Sequence, residues 1–139
     1  MMHFEDLSPY QYICVSIPSG VTAVNVGWLE AHRDFPQGGV PEEFIDALSS
    51  IVKSHRQAKT RGWHRCQLPR AGDEAAYPTT FEIDGQQASL GGAEVRVVSV
   101  RWVWMIAPDL ILHYVVDHHY RPPEDFIEAV IGKRIAPSS

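Results

Sequence analysis

The most regular apolar spacing in the chain lies in two segments that begin alike. PEEFIDAL at Pro41–Leu48 and PEDFIEAV at Pro123–Val130 each open on proline, continue with two acids, and then place apolar residues at i, i+1 and i+4. Proline in the first turn forfeits no helical hydrogen bond, and carboxylates there complement the helix dipole. Phe44, Ile45 and Leu48 gather on one side of the first segment and predict a helix reaching to Val52 or Lys53. Phe126, Ile127, Val130 and Ile131 do the same in the second, with Gly132 and Lys133 as its stop. A third helix is expected over Pro108–His118, again started by proline. The echo between the first two reflects the shared grammar of helix starts rather than a duplication, since the likeness does not extend to either side.

Elsewhere the pattern favours strands. VTAVNVGWL (Val21–Leu29) follows a Pro18–Gly20 turn, and YICVSI (Tyr12–Ile17) adds an edge strand. TTFEIDGQQASL (Thr79–Leu90) predicts a hairpin about Asp84–Gly85. AEVRVVSVRWVWMIA (Ala93–Ala107) is the most strongly β segment, with Val95 and Val97, then Val100, Trp102 and Trp104, near alternation. Residues 54–78 are polar and broken by Gly62, Pro69, Gly72 and Pro78, which predicts a long loop, and a loop of that length tends to be functional, mobile or pinned. The expected fold is a single α+β domain over 1–134, with an antiparallel or mixed sheet and about three helices on one face. Residues 135–139 are expected to form a flexible C-terminal tail.

Length and charge narrow the function classes. A chain of 139 residues can bury a core without disulfides or metal. Its 12 Lys+Arg against 17 Asp+Glu give a net charge of −5, which argues against a nucleic-acid partner because tracking a phosphate backbone needs a basic face. No apolar run approaches the length of a bilayer span, and MMHFEDLSPY has no basic n-region, so a cytoplasmic location is expected. Cys14 and Cys66 are then free thiols or ligands rather than a disulfide.

DLSPY, NVGWL, VPEEF, RGWHRC, LGGAEVRV, APDLILHYVVDHHY and PPEDFIEAV occur in that order along nearly the whole chain. In these motifs the sequence resembles a bacterial, mainly actinobacterial, family of domains of unknown function. Many members of that family carry a second cysteine three residues after the one matching Cys66, giving a CxxC. Pro69 stands there in this chain.

Two clusters carry candidate chemistry. HYVVDHHY holds His113, Asp117, His118 and His119, and RGWHRC holds His64 and Cys66. Zinc takes thiolate and imidazole in a tetrahedron, often one pair from a loop and one from a helix end. His64, Cys66, His113 and His118 are the candidate ligands, with Asp117 and His119 as alternative ligands or as groups that orient them. On a regular helix His113 and His118 lie about 140° apart and converge only if the helix unwinds near Asp117. His113 and Asp117, four apart, share a face. The plainer alternative is that His113 hydrogen-bonds at the polar edge of its helix, that His118 and His119 suit the C-terminal dipole, and that Cys66 is a small buried residue. Cys66 is also a candidate nucleophile, with His64, His113 or His118 as base, Asp117 orienting it, and Arg61, Arg65 and Arg70 favouring the thiolate. Trp102 and Trp104, two apart on one expected strand, line a pocket, a partner surface or the core, with at least one in the core. LGGAE leads into a strand and is a turn, not a phosphate loop.

The leading expectation is a small binding protein, of the kind found among inhibitors and immunity proteins, that acts through a protein partner and is stabilised by a Cys/His zinc site. One alternative is a metal-dependent enzyme with an open site at His64, Cys66 and His113. Another is a metal-free domain with no catalytic site. The binding expectation requires an exposed apolar or acidic patch and a closed or absent metal site, whereas the enzyme requires a pocket with an open coordination position.

Overall fold

The computed structural model describes residues 6–10, 17–29, 35–54, 79–83, 85–90 and 93–136. Cys14, Trp63, His64, Cys66 and most of the expected edge strand and long loop lie outside them. Along the chain run β1 (Ala23–Asn25), α1 (Glu42–Ser54), β2 (Thr79–Ile83), β3 (Gln86–Leu90), β4 (Glu94–Val98), β5 (Trp104–Pro108), α2 (Ile111–His118) and α3 (Glu124–Ile131). β1, β5 and β4 form a mixed sheet in that order, with β1 parallel and β4 antiparallel to β5, and β2 and β3 form the expected hairpin. The described residues make a small α+β domain.

Successive side chains of a strand point to opposite faces, so the register sorts the sheet into two sides. Val24, Met105, Ala107, Val95 and Val97 share one side and enter the main core with Phe44, Leu48 and Ile51 of α1, Leu112 and Val115 of α2, and Phe126 and Val130 of α3. The helices therefore cover this face. Phe44 and Phe126, the matching residues of the two echoed segments, meet edge to face at 6.2 Å. Ala23, Ile106 and Arg96 share the other side, where Tyr10 and Trp28 pack on Ile106 and the Trp28 indole donates to the Ile106 carbonyl at 3.0 Å.

Both edges of the sheet are covered by irregular chain, which removes the unpaired rows that invite edge-to-edge association. At β1 the DLSPY segment runs alongside, with Asn25 N–H donating to Ser8 O at 2.8 Å and Tyr10 N–H to Ala23 O at 2.9 Å. At β4 the residues after α3 do so, with Val98 N–H donating to Arg134 O at 2.7 Å and Ala136 N–H to Arg96 O at 2.9 Å. The chain expected to be a tail from Ile135 is thus still engaged there. Ile135 bridges Val97, and Ala136 is buried.

Several element boundaries differ from expectation. Pro41 and Pro123 precede their helices rather than opening the first turn, and their carbonyls accept from Phe44 and Phe126 N–H, each at 3.0 Å. Pro108 ends β5 instead of starting α2, at a strand terminus where its missing N–H does no harm. At the end of α3 the left-handed residue is Lys133 (φ 52), whereas Gly132 stays right-handed. The largest correction is at Ala93–Ala107, which is two antiparallel strands joined by a turn at Ser99–Val103, not one long strand.

Candidate functional site

Three clusters of polar or exposed groups stand out; the histidine cluster and the Trp102–Trp104 pair were expected, and the second cluster was not. His113 is buried on α2, not at a polar edge, and its Nδ1 lies 2.7 Å from Asp117 Oδ2. The i, i+4 pair forms as helical geometry requires. The ring of His118 also meets that of His113, nearly perpendicular, with centroids 4.9 Å apart. The local cause is a wide last turn. His119 N–H and Tyr120 N–H both bond to Tyr114 O rather than closing at the α-helical i→i−4 spacing, and His119 takes the left-handed conformation at φ 58. An i→i−5 closure brings residues five apart to one side. The helix itself runs through His118, and the departure from helical geometry lies at His119. Asp117 is half exposed and His119 points to solvent. Among the described residues no three His, Cys, Asp or Glu side chains are grouped closely enough to hold a metal ion. His64 and Cys66, the other half of the expected site, are not among them.

The second cluster was missed. On the side of the sheet away from the helices, Glu94 and Arg96 lie two apart on β4 and are both buried. Arg96 donates through Nε and Nη2 to Glu94 Oε1 at 2.9 and 2.7 Å, and the Tyr10 hydroxyl donates to Oε2 at 2.7 Å. Burial raises the Glu94 pKa above its ordinary value, the bonds from Tyr10 and Arg96 pull against that, and nearby Asp109 adds to it. Raised carboxyl groups beside a phenol and a guanidinium occur in catalytic sites. Here the trio ties the DLSPY segment to β4, and it lines neither the groove at the β4–β5 turn nor the one at Pro36, Arg121 and Glu124. A similar tie closes the end of α2, where Asp6 accepts from Gly27 N–H at 2.9 Å and from the Tyr120 hydroxyl at 2.8 Å. Three segments of the quoted motifs, DLSPY, NVGWL and the HHY end, meet at this one carboxylate.

The third cluster is the turn between β4 and β5. Trp104 is buried, whereas Trp102, expected beside it on the same face, is 83% exposed. The turn is ordered from within. Ser99 N–H donates to Val103 O at 2.9 Å, Trp102 N–H donates to Ser99 O at 3.0 Å, and the Ser99 hydroxyl accepts from Arg101 and Val103 N–H, each at 3.2 Å. This geometry holds Trp102 left-handed at φ 64, a conformation uncommon for a bulky residue. Val100 beside it is 61% exposed. Together with the Gly20–Thr22 segment, Arg134 and Ile135, the turn lines a groove of about 630 Å³. A sequence signal existed for the turn. The alternating apolar positions are odd at Val95 and Val97, while the expected alternation continues on even numbers from Val100, and a slip of one residue marks a break in a strand.

The domain defined by these features is a small α+β unit with an exposed aromatic groove and a histidine-rich helix end. Over residues 2–131 it matches the family described as Domain of unknown function (DUF7919), and the chain belongs to that family. No curated protein and no solved structure matches it. Among the described residues no helix is long and apolar enough to cross a membrane.

Proposed function

We propose that this domain is a binding module that engages a protein partner through the groove at the β4–β5 turn. The observation that carries this reading is Trp102. An indole left almost wholly in water, on a turn whose own hydrogen bonds fix it in a disfavoured conformation, contributes nothing to the core. Strain at an exposed site is a reason to look for function there, and tryptophan is enriched among the residues that anchor binding hot spots. The expected requirement of an exposed apolar patch is met by Trp102 and Val100. Replacing Trp102 with alanine is expected to leave the thermal melt unchanged and to lower affinity for a partner protein isolated by its binding to the parent domain by at least about tenfold. An unchanged affinity, measured by calorimetry with that partner, defeats the proposal.

A second reading is favoured by the helix end. A carboxylate bonded to one nitrogen of a buried imidazole is how metal-ligating histidines are usually oriented, with the other nitrogen facing the ion. His113 with Asp117 has that form, and His118 lies against it. With His64 and Cys66 these residues would hold one zinc as a structural brace, and an open position at His64, Cys66 and His113 would instead suit hydrolytic chemistry. Elemental analysis of untagged protein tests it. About one zinc per chain, lost in His113→Ala and in Cys66→Ser together with a lower melting temperature, supports the brace. Metal-free protein after zinc loading and removal of excess defeats it.

A further inference from the structure

Resting on the groove reading, we propose in addition that the partner presents an acidic segment, with carboxylates flanking an apolar side chain that seats against Trp102. The argument is one of charge. The chain as a whole carries −5, yet among the described residues the groove is lined by Arg101 and Arg134 and by no Asp or Glu. Lys133 adjoins it in the sequence. Arg134 donates through Nε to the Val98 carbonyl at 3.0 Å, which fixes its guanidinium at the groove wall. Among the described residues no carboxylate pairs with Arg101 or Arg134. The groove at Pro36 and Pro122 differs on this point, since its arginine, Arg121, is bonded to Glu124 at 3.0 Å and its charge is met from within.

Guanidinium groups bind carboxylates through paired N–H donors, and an adjoining indole supplies apolar area at low entropic cost. Two arginines beside an apolar groove suit a short acidic peptide segment. They suit a polyanion less well, because nucleic acid or an anionic bilayer needs many cationic contacts and meets repulsion from the rest of an acidic chain.

The test is selection of random linear peptides displayed on phage against the full chain, with the winners measured on variants by fluorescence anisotropy. Selected peptides are expected to place Asp or Glu beside an aromatic or aliphatic residue. Their affinity is expected to fall by at least about tenfold on Trp102→Ala and on Arg101→Glu, and to weaken as salt rises. Exchanging the acids of a peptide for lysine should restore binding to Arg101→Glu. Arg134→Gln is the second charge variant, chosen because reversing Arg134 risks the contact to Val98.

Peptides that depend on Trp102 but ignore both arginines overturn the acidic partner and leave the groove reading standing. An absence of any Trp102-dependent peptide overturns both. Arg101-dependent binding of a single-stranded oligonucleotide, or of phosphatidylserine vesicles, with no acidic peptide selected overturns the proposal in favour of a polyanion. A Trp102-dependent dimer in sedimentation assigns the groove to a second copy of the chain and overturns it as well.

Discussion

Two of the non-glycine residues in the left-handed conformation, His119 just after α2 and Trp102 in the turn between β4 and β5, are treated by the fold in opposite ways. At His119 the reversal lets Tyr114 O collect two N–H groups and turns Tyr120 inward, where it is fully buried and bonded to Asp6. The unfavourable backbone state is compensated by burial of a large aromatic ring. At Trp102 the reversal leaves the aromatic ring exposed, in the turn that joins the paired residues Val98 and Trp104. The same local cost serves the core at one end and leaves it unserved at the other. That difference is why the turn, and not the helix end, carries the binding proposal.

The comparison can be broken most severely at the glycines beside each region. Gly27 (φ +75) lies behind α2, and a Cβ there would sit 2.9 Å from Ile111 Cδ1. Gly20 (φ +83) lines the groove, and a Cβ there meets nothing within 4 Å. Gly20→Ala bears only backbone strain of about 1–2 kcal/mol, partly offset by about 0.5–1 kcal/mol from the reduced freedom of the unfolded chain. Gly27→Ala adds overpacking of about 1–3 kcal/mol and is expected to lose that much more in urea unfolding. Equal losses would mean that the groove side is as tightly packed as the helix side.

A smaller effect separates the two aromatic rings. Tyr120→Phe removes the hydroxyl that donates to Asp6 and should cost about 1–2 kcal/mol, near the lower end for a bond to a carboxylate because Asp6 is only partly buried. Trp102→Phe should stay within about 0.5 kcal/mol of the parent. The check is the shift in urea midpoint at constant m-value.

The parts of the molecule legible in the sequence are the local ones. The Thr79–Leu90 hairpin follows from alternation around Asp84–Gly85, and the starts of α1 and α3 follow from proline and paired acids, because each signal acts within a few residues. The break at Ser99–Val103 was hidden by the absence of glycine or proline, and only the phase slip after Val97 marked it. Two ties were out of reach. Tyr10 to Glu94 spans 84 positions and Asp6 to Tyr120 spans 114, and no pattern of spacing links residues so far apart. The histidine cluster was half legible. The His113–Asp117 pair follows from helical period, whereas the approach of His118 depends on a widened turn whose cause, the reversal at His119, is a tertiary choice.

The smallest effect is also the sharpest. Glycine at a left-handed position relieves about 1–2 kcal/mol of backbone strain but adds freedom to the unfolded chain worth about 0.5–1 kcal/mol. His119→Gly and Trp102→Gly should therefore each raise stability slightly, by up to about 1 kcal/mol, read as a higher melting temperature. Neither loses a buried side chain, since both residues are exposed. Only Trp102→Gly should abolish Trp102-dependent peptide binding. If instead Trp102→Gly loses more than about 1 kcal/mol, a change of the size expected when a packed group is removed, the indole has been supporting the fold after all. The asymmetry between the two left-handed residues then disappears, and with it the reason for assigning the turn a partner.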